Sequence, residues 1–151
     1  MKYILSLVLF FPSFFVNAEG IEPEKVIDKT IQLIVADKVG EAFDFAIRSN
    51  ASFKDLKADT ESAKDDFISL IKKVGVPSAC EKLVTRNLNN RYRTDVYLCL
   101  SEKQPIELHF EFYRPNSEWR IQSFSYSSDV DKHIEKSIER EIGDKSILKD
   151  K

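Results

Sequence analysis

Three side chains able to ligate a metal, Glu107, His109 and Glu111, alternate along one stretch of the chain. On an extended strand they share a face, but same-face neighbours stand about 6.8 Å apart, twice the rise per residue. Three in a row do not close readily around one ion, and a solvated sheet face is the simpler reading. The chain holds two cysteines and two histidines, so a zinc site of the usual His/Cys type would consume all four. Gly20, Gly40, Gly75 and Gly143 stand too far apart to form a phosphate-cradling loop. No Gly-x-Ser-x-Gly nucleophile motif occurs, and a Cys–His nucleophile would need a free thiol. Arg86, Arg91 and Arg93 cluster around Asn89-Asn90 and could hold an anion. With 23 basic against 25 acidic side chains, a solvated positive tip is the plainer reading. No catalytic residue, metal ligand or cofactor is assigned.

The remaining arithmetic bounds the class. A chain of 151 residues with 42% hydrophobic content is a folded protein of about one domain, and a net charge of −2 offers no nucleic-acid surface. Lys2 precedes an apolar run over 3–16, which Pro12 interrupts and which is shorter than the roughly 20 residues a bilayer needs. Val16-Asn17-Ala18 then supplies a cleavage pattern. The expectation is a signal peptide at 1–18 and an exported product, periplasmic in a Gram-negative cell and otherwise secreted. No later segment is apolar enough to span a membrane, so no membrane association is expected after cleavage. Oxidation is permitted in such a compartment. A Cys80–Cys99 disulfide is the leading reading, with two buried thiols as the alternative.

The elements that must position these residues follow from periodicity. Pro23 and Glu24 open a helix whose apolar residues recur to Ile47, with a kink or break expected at Gly40. Residues 49–59 read as a loop, and Asn50-Ala51-Ser52 is formally a glycosylation sequon. A second helix starts at Thr60 and ends at Gly75, with Pro77 preventing resumption. From Cys80 the period becomes two, giving strands over 81–88, 91–100, 104–114 and 118–125. A two-residue Asn89-Asn90 turn sets Leu83 opposite Val96, Thr85 opposite Thr94 and Cys80 opposite Cys99, the last at a hydrogen-bonded position with Cα atoms about 5.5 Å apart unless the bridge's orientation requires a bulge near Cys80. A Pro115-Asn116 turn sets Trp119 opposite Phe112 and Ile121 opposite Phe110. Residues 129–142 return to helical spacing with a narrow seam of Val130, Ile134, Ile138 and Ile142, and 143–151 is a flexible charged tail. The fold class is α+β: N-terminal helices on a curved four-stranded antiparallel sheet, with a C-terminal amphipathic helix, in one domain over 19–142.

This order of parts resembles the superfamily that includes nuclear transport factor 2 and ketosteroid isomerase, often called cystatin-like. The likeness rests on Ala36-Asp37-Lys38-Val39-Gly40-Glu41-Ala42, on Lys73-Val74-Gly75, and on the closing stretch over 112–129 with Trp119 in its hairpin. The resemblance spans roughly 23–129 and implies a curved sheet wrapped around helices and a pocket. Small exported bacterial members of unknown function look similar. The isomerase branch requires acids and a tyrosine projecting into that pocket. By alternation the inner face carries Leu83, Tyr92, Val96, Leu98, Leu108, Phe110, Phe112, Trp119 and Ile121, and no Asp, Glu or His joins them.

A non-enzymatic exported module is therefore expected, binding a protein or a small apolar ligand. An isomerase-like small-molecule enzyme with loop-borne catalytic groups is one alternative, and an exported inhibitor or immunity protein is another. The partner surface is expected on the outer sheet face, where Tyr97, His109 and Tyr113 would be joined by Phe124 and Tyr126 unless a bulge intervenes near Ser123. Ile134 and Ile138 of the last helix, or the same face of a second subunit in a homodimer, would cover it.

Overall fold

The computed structural model describes residues 21–48 and 50–132. The signal segment expected at 1–18, the seam residues Ile134, Ile138 and Ile142, and the tail at 143–151 lie outside the described residues. Helices precede four antiparallel strands, so the fold is α+β.

Helix α1 (Pro23–Val35) begins where proline's missing N–H costs nothing, and Glu24 lies at the positive end of its dipole. Val26, Ile27, Thr30 and Ile34 form its buried stripe. The helix does not run on to Gly40. It ends in a cap in which Asp37 has φ 59, Lys38 N–H donates to the Leu33 carbonyl at 2.8 Å and Asp37 N–H to that of Ile34 at 3.0 Å. This is the Schellman pattern, and a short polar side chain is among the few that tolerate its left-handed residue. Gly40 lies instead inside α2 (Val39–Arg48), where a Cβ would stand 3.4 Å from Lys64 Cε and 3.6 Å from Ile68 Cδ1. Its role is close helix approach rather than a break.

The expected loop contains a 3-10 turn, Ala51–Leu56, and α3 (Lys57–Val74) starts before Thr60. Asn50 Oδ1 accepts the Ser52 N–H at 3.0 Å, while Asn50 Nδ2 donates to the Ile121 carbonyl at 2.8 Å. The nitrogen that would carry a glycan is thus engaged in a contact with the sheet. Helix α3 ends at Gly75, with φ 94 and its N–H on the Ile71 carbonyl at 2.9 Å, as the glycine and proline spacing requires.

Strands β1 (Ala79–Leu88), β2 (Tyr92–Leu100), β3 (Ile106–Tyr113) and β4 (Arg120–Ser127) form a meander in that order, with β1 and β4 at the edges. Ile106, Leu108, Phe110 and Phe112 of β3 are fully buried and belong to one core with Ile27, Ile34, Phe43, Phe67 and Ile71 of the helices. Aromatic rings fill the space between the layers: Phe67 lies 4.6 Å from Tyr126 and Phe110 lies 5.0 Å from Phe124, by ring centroids. The Tyr126 hydroxyl donates to the Ala63 carbonyl at 3.0 Å. Each large apolar side chain removed from water here contributes roughly 1.5–3 kcal/mol.

The β3–β4 register differs from expectation. Ile121 faces Phe112 and Phe124 faces Phe110, with a slip between these pairs. Trp119 precedes β4 and makes an isolated antiparallel bridge with Ile21, because the connection after Tyr113 is longer than a tight Pro115-Asn116 turn. The slip falls beside Ser123 and turns Phe124 and Tyr126 inward onto the helices. After β4 the chain re-enters helix at Val130, whose side chain is buried.

Candidate interaction surface

The β1–β2 hairpin is built around Asn89 and Asn90, whose φ values of 49 and 52 mark a tight type I′ turn. Arg91 N–H closes it on the Leu88 carbonyl at 2.9 Å. Leu88, however, pairs with Tyr92, which leaves Arg91 as an extra residue, and Leu83 is an extra residue on the opposite strand. Between the two, every pair is displaced by one. Val84 faces Val96 and Thr85 faces Asp95, in place of the expected Leu83–Val96 and Thr85–Thr94. Beyond Leu83 the displacement cancels, so Cys80 faces Cys99, and a disulfide joins them. Their Cα atoms are 3.9 Å apart. That is nearer the ~4.5 Å of a non-hydrogen-bonded pair than the expected ~5.5 Å, since alternation counted from the turn does not carry through a bulge.

The same register corrects the faces of β2. Arg93 lies opposite Phe112, Asp95 opposite Phe110, Tyr97 opposite Leu108 and Cys99 opposite Ile106. Of the expected inner residues, Leu108, Phe110, Phe112 and Ile121 are in the core. Tyr92, Val96 and Leu98 are on the outer face, and Leu83 is 52% exposed at its bulge. Trp119 is partly buried under the Arg114 guanidinium, 4.8 Å from the ring centroid. Of the expected outer residues, His109 and Tyr113 are there, whereas Tyr97 is buried inside, edge-on to Phe110 at 6.1 Å.

An acid therefore does reach the inner face, and sequence reasoning missed it. Asp95 is fully buried and arrives with its own counter-charge. Its Oδ2 accepts Arg93 Nε at 2.6 Å, and its Oδ1 accepts Arg93 Nη2 at 3.0 Å and the Thr85 hydroxyl at 2.5 Å. Arg93 Nη1 continues to Glu24 on α1, tying the hairpin to the helix layer. The Asp95 carboxylate, followed by that of Glu24, drives the Arg93 pKa up despite the opposing effect of burial. The hydrogen bond from Arg93 holds the Glu24 carboxyl below its ordinary range. Burial pushes the Tyr97 hydroxyl up, while Lys82, 5.6 Å over its ring, pulls the other way. The i, i+2 spacing of Arg93 and Asp95 was the available signal: two opposite charges on one face of a strand can enter a core as a pair.

On the outer face Glu107, His109 and Glu111 share one row as alternation requires, but the solvated face expected of it does not hold at Glu107. Glu107 is buried and meets His109 at 3.0 Å, while Glu111 accepts the Tyr92 hydroxyl at 2.8 Å. Among the described residues no group of three or more His, Cys, Asp or Glu side chains is placed to hold a metal ion. No described helix is long and apolar enough to cross a membrane.

What projects is β1. Every residue from 81 to 91 is exposed, and the exposed set includes Leu83 at 52%, Val84 at 38% and Leu88 at 64%. Arg91 braces the tip by donating from Nη1 to the Pro115 carbonyl at 2.8 Å, so this arginine of the basic cluster is spent on structure. Open clefts occur on the hairpin, where one of about 290 Å³ is lined by Arg86, Asn87, Leu88, Tyr92 and Thr94, and away from it. One of about 420 Å³ runs between α2 and the end of α3, lined by Val39, Ile68, Ile71 and Val76 with Asp37 and Lys72. Another of about 220 Å³ is bounded by Phe43, Ile47, Phe53, Leu56 and Phe124. Comparison of the chain with known family models, characterised proteins and solved structures finds no match.

Proposed function

We propose that this protein is an exported, non-enzymatic interaction module that engages a protein partner through the β1–β2 hairpin. The observation that carries the reading is the exposure of β1, with three large aliphatic side chains in water on a strand clamped by a disulfide. Aliphatics in water on a rigid element are the raw material of an interface. The inner face, where the superfamily resemblance would set a pocket, is packed with aromatic rings, and this favours surface recognition over an enclosed ligand. Export is supported by the leader pattern at 1–18, and the disulfide is compatible with it.

The isomerase-like alternative regains an acid and a tyrosine on the inner face, Asp95 and Tyr97. Both Asp95 oxygens are already held by Arg93 and Thr85, which opposes a role as proton acceptor. A small apolar ligand is the second reading, favoured by the open clefts: the Phe43–Phe53–Leu56 cleft of about 220 Å³ lies below the roughly 300 Å³ at which ligand pockets begin, whereas the cleft of about 420 Å³ between α2 and the end of α3 exceeds it. Immobilised protein exposed to cell-envelope proteins separates the readings. Val84→Lys with Leu88→Lys should abolish retention of the bound protein, and Leu56→Lys should leave it intact. Retention lost only in Leu56→Lys would move the site to the cleft.

A further inference from the structure

We propose that the outer edge of β1 pairs antiparallel with β1 of a second copy, about a two-fold axis through Leu83 and Val84. This rests on the reading of the hairpin as the contact surface and names the chain itself as the partner. Strand β1 is ladder-paired to β2 alone, so its other edge is open among the described strands. Its faces are set by its β2 partners. Ala79, Glu81, Arg86 and Leu88 lie opposite Leu100, Leu98, Thr94 and Tyr92, which all share the outer face. Cys80, Lys82, Thr85 and Asn87 lie opposite the inner set.

An antiparallel pair requires that facing residues project to the same side. With the axis between Leu83 and Val84, Glu81 meets Arg86 of the second copy and Ala79 meets Leu88, all on the outer face. Lys82 meets Thr85 on the inner face, and the exposed Leu83 and Val84 gather at the axis. The isologous symmetry repeats each contact, giving two Glu81–Arg86 pairs and no like charges opposed. The extra residue at Leu83 is what makes this possible: on a regular strand Glu81 and Arg86 would project to opposite sides. Two-fold axes at Lys82 or at Arg86 would instead oppose identical cations. A bulge and a lysine on an edge strand ordinarily discourage pairing, but here both fit within the matched register.

Sedimentation equilibrium on the purified protein at low salt, from about 1 μM to 1 mM, reads the association directly. A monomer–dimer equilibrium is expected. Glu81→Arg and Arg86→Glu, both at exposed positions, should each raise the dissociation constant about tenfold or more, and the double reversal should restore it to within about threefold of the parent. A monomer throughout that range overturns the proposal. So does a dimer indifferent to both single reversals. A monomer whose envelope partner is still lost in Val84→Lys with Leu88→Lys overturns self-pairing while leaving the hairpin as the contact surface.

Discussion

Asp95 and Arg93 form a buried ion pair whose value lies in completeness. Removing one member strands the other away from water, at a cost of about 3–5 kcal/mol, whereas replacing both with apolar groups of similar size is often neutral. Arg93→Met, which strands the fully buried Asp95, should therefore destabilise the fold by about 3 kcal/mol or more in urea unfolding, and Asp95→Leu with Arg93→Met should recover most of that loss. Equal destabilisation by the single and double changes would mean that geometry, not an orphaned charge, sets the cost. Glu24, at the exposed end of the network, governs a pH effect. Its carboxyl is held below the ordinary 4.5 by Arg93. A depressed folded-state pKa contributes stability that is present above the unfolded value and lost as pH falls through the folded one. Unfolding free energy measured from about pH 6 downward should thus fall less steeply in Glu24→Gln than in the parent. Identical slopes would remove Glu24 from the network.

Among the elements, the hairpin and the β3 strand carry the energetic distinctions. The disulfide spans a sequence separation of 19, for which loss of chain entropy in the unfolded state stabilises by roughly 3 kcal/mol. Thiol titration of unfolded, non-reduced protein should find no thiol, and reduction should lower stability by about that amount. Phe110→Ala should cost about 3–5 kcal/mol, and Trp119→Ala clearly less, because Phe110 is fully buried and Trp119 only partly so. Similar costs for the two would restore Trp119 to the core. Much at this scale was legible from spacing. The strands, the β3 faces, the Gly75 terminus and the Cys80–Cys99 pairing all follow from periodicity, turn chemistry and register. The faces of β2 did not, because bulges at Leu83 and Arg91 are single-residue insertions that leave no mark on composition. The break at Asp37 was hidden because its left-handed cap uses an aspartate in place of the glycine that usually marks such a cap, while Gly40 three residues on drew the expected break.

For the whole molecule, the helices fill one face of the sheet and leave β1 extended into water, and that exposure is what supports the proposed recognition through the hairpin. The candidate site was only half legible. Alternation identified His109 and Tyr113 as outer residues, but the exposure of Leu83, Val84 and Leu88 depends on how far the helical layer reaches across the sheet, which no local pattern encodes. The most direct measurement places a photo-activatable side chain at Leu88, at Leu83 or, on the exposed surface of α3, at Ser69, and irradiates intact cells. Adducts with protein are predicted at Leu88 and Leu83 and not at Ser69, with those at Leu83 including a species of twice the chain mass. Adducts at Ser69 alone, or none at either hairpin position, would contradict the hairpin as the interaction surface.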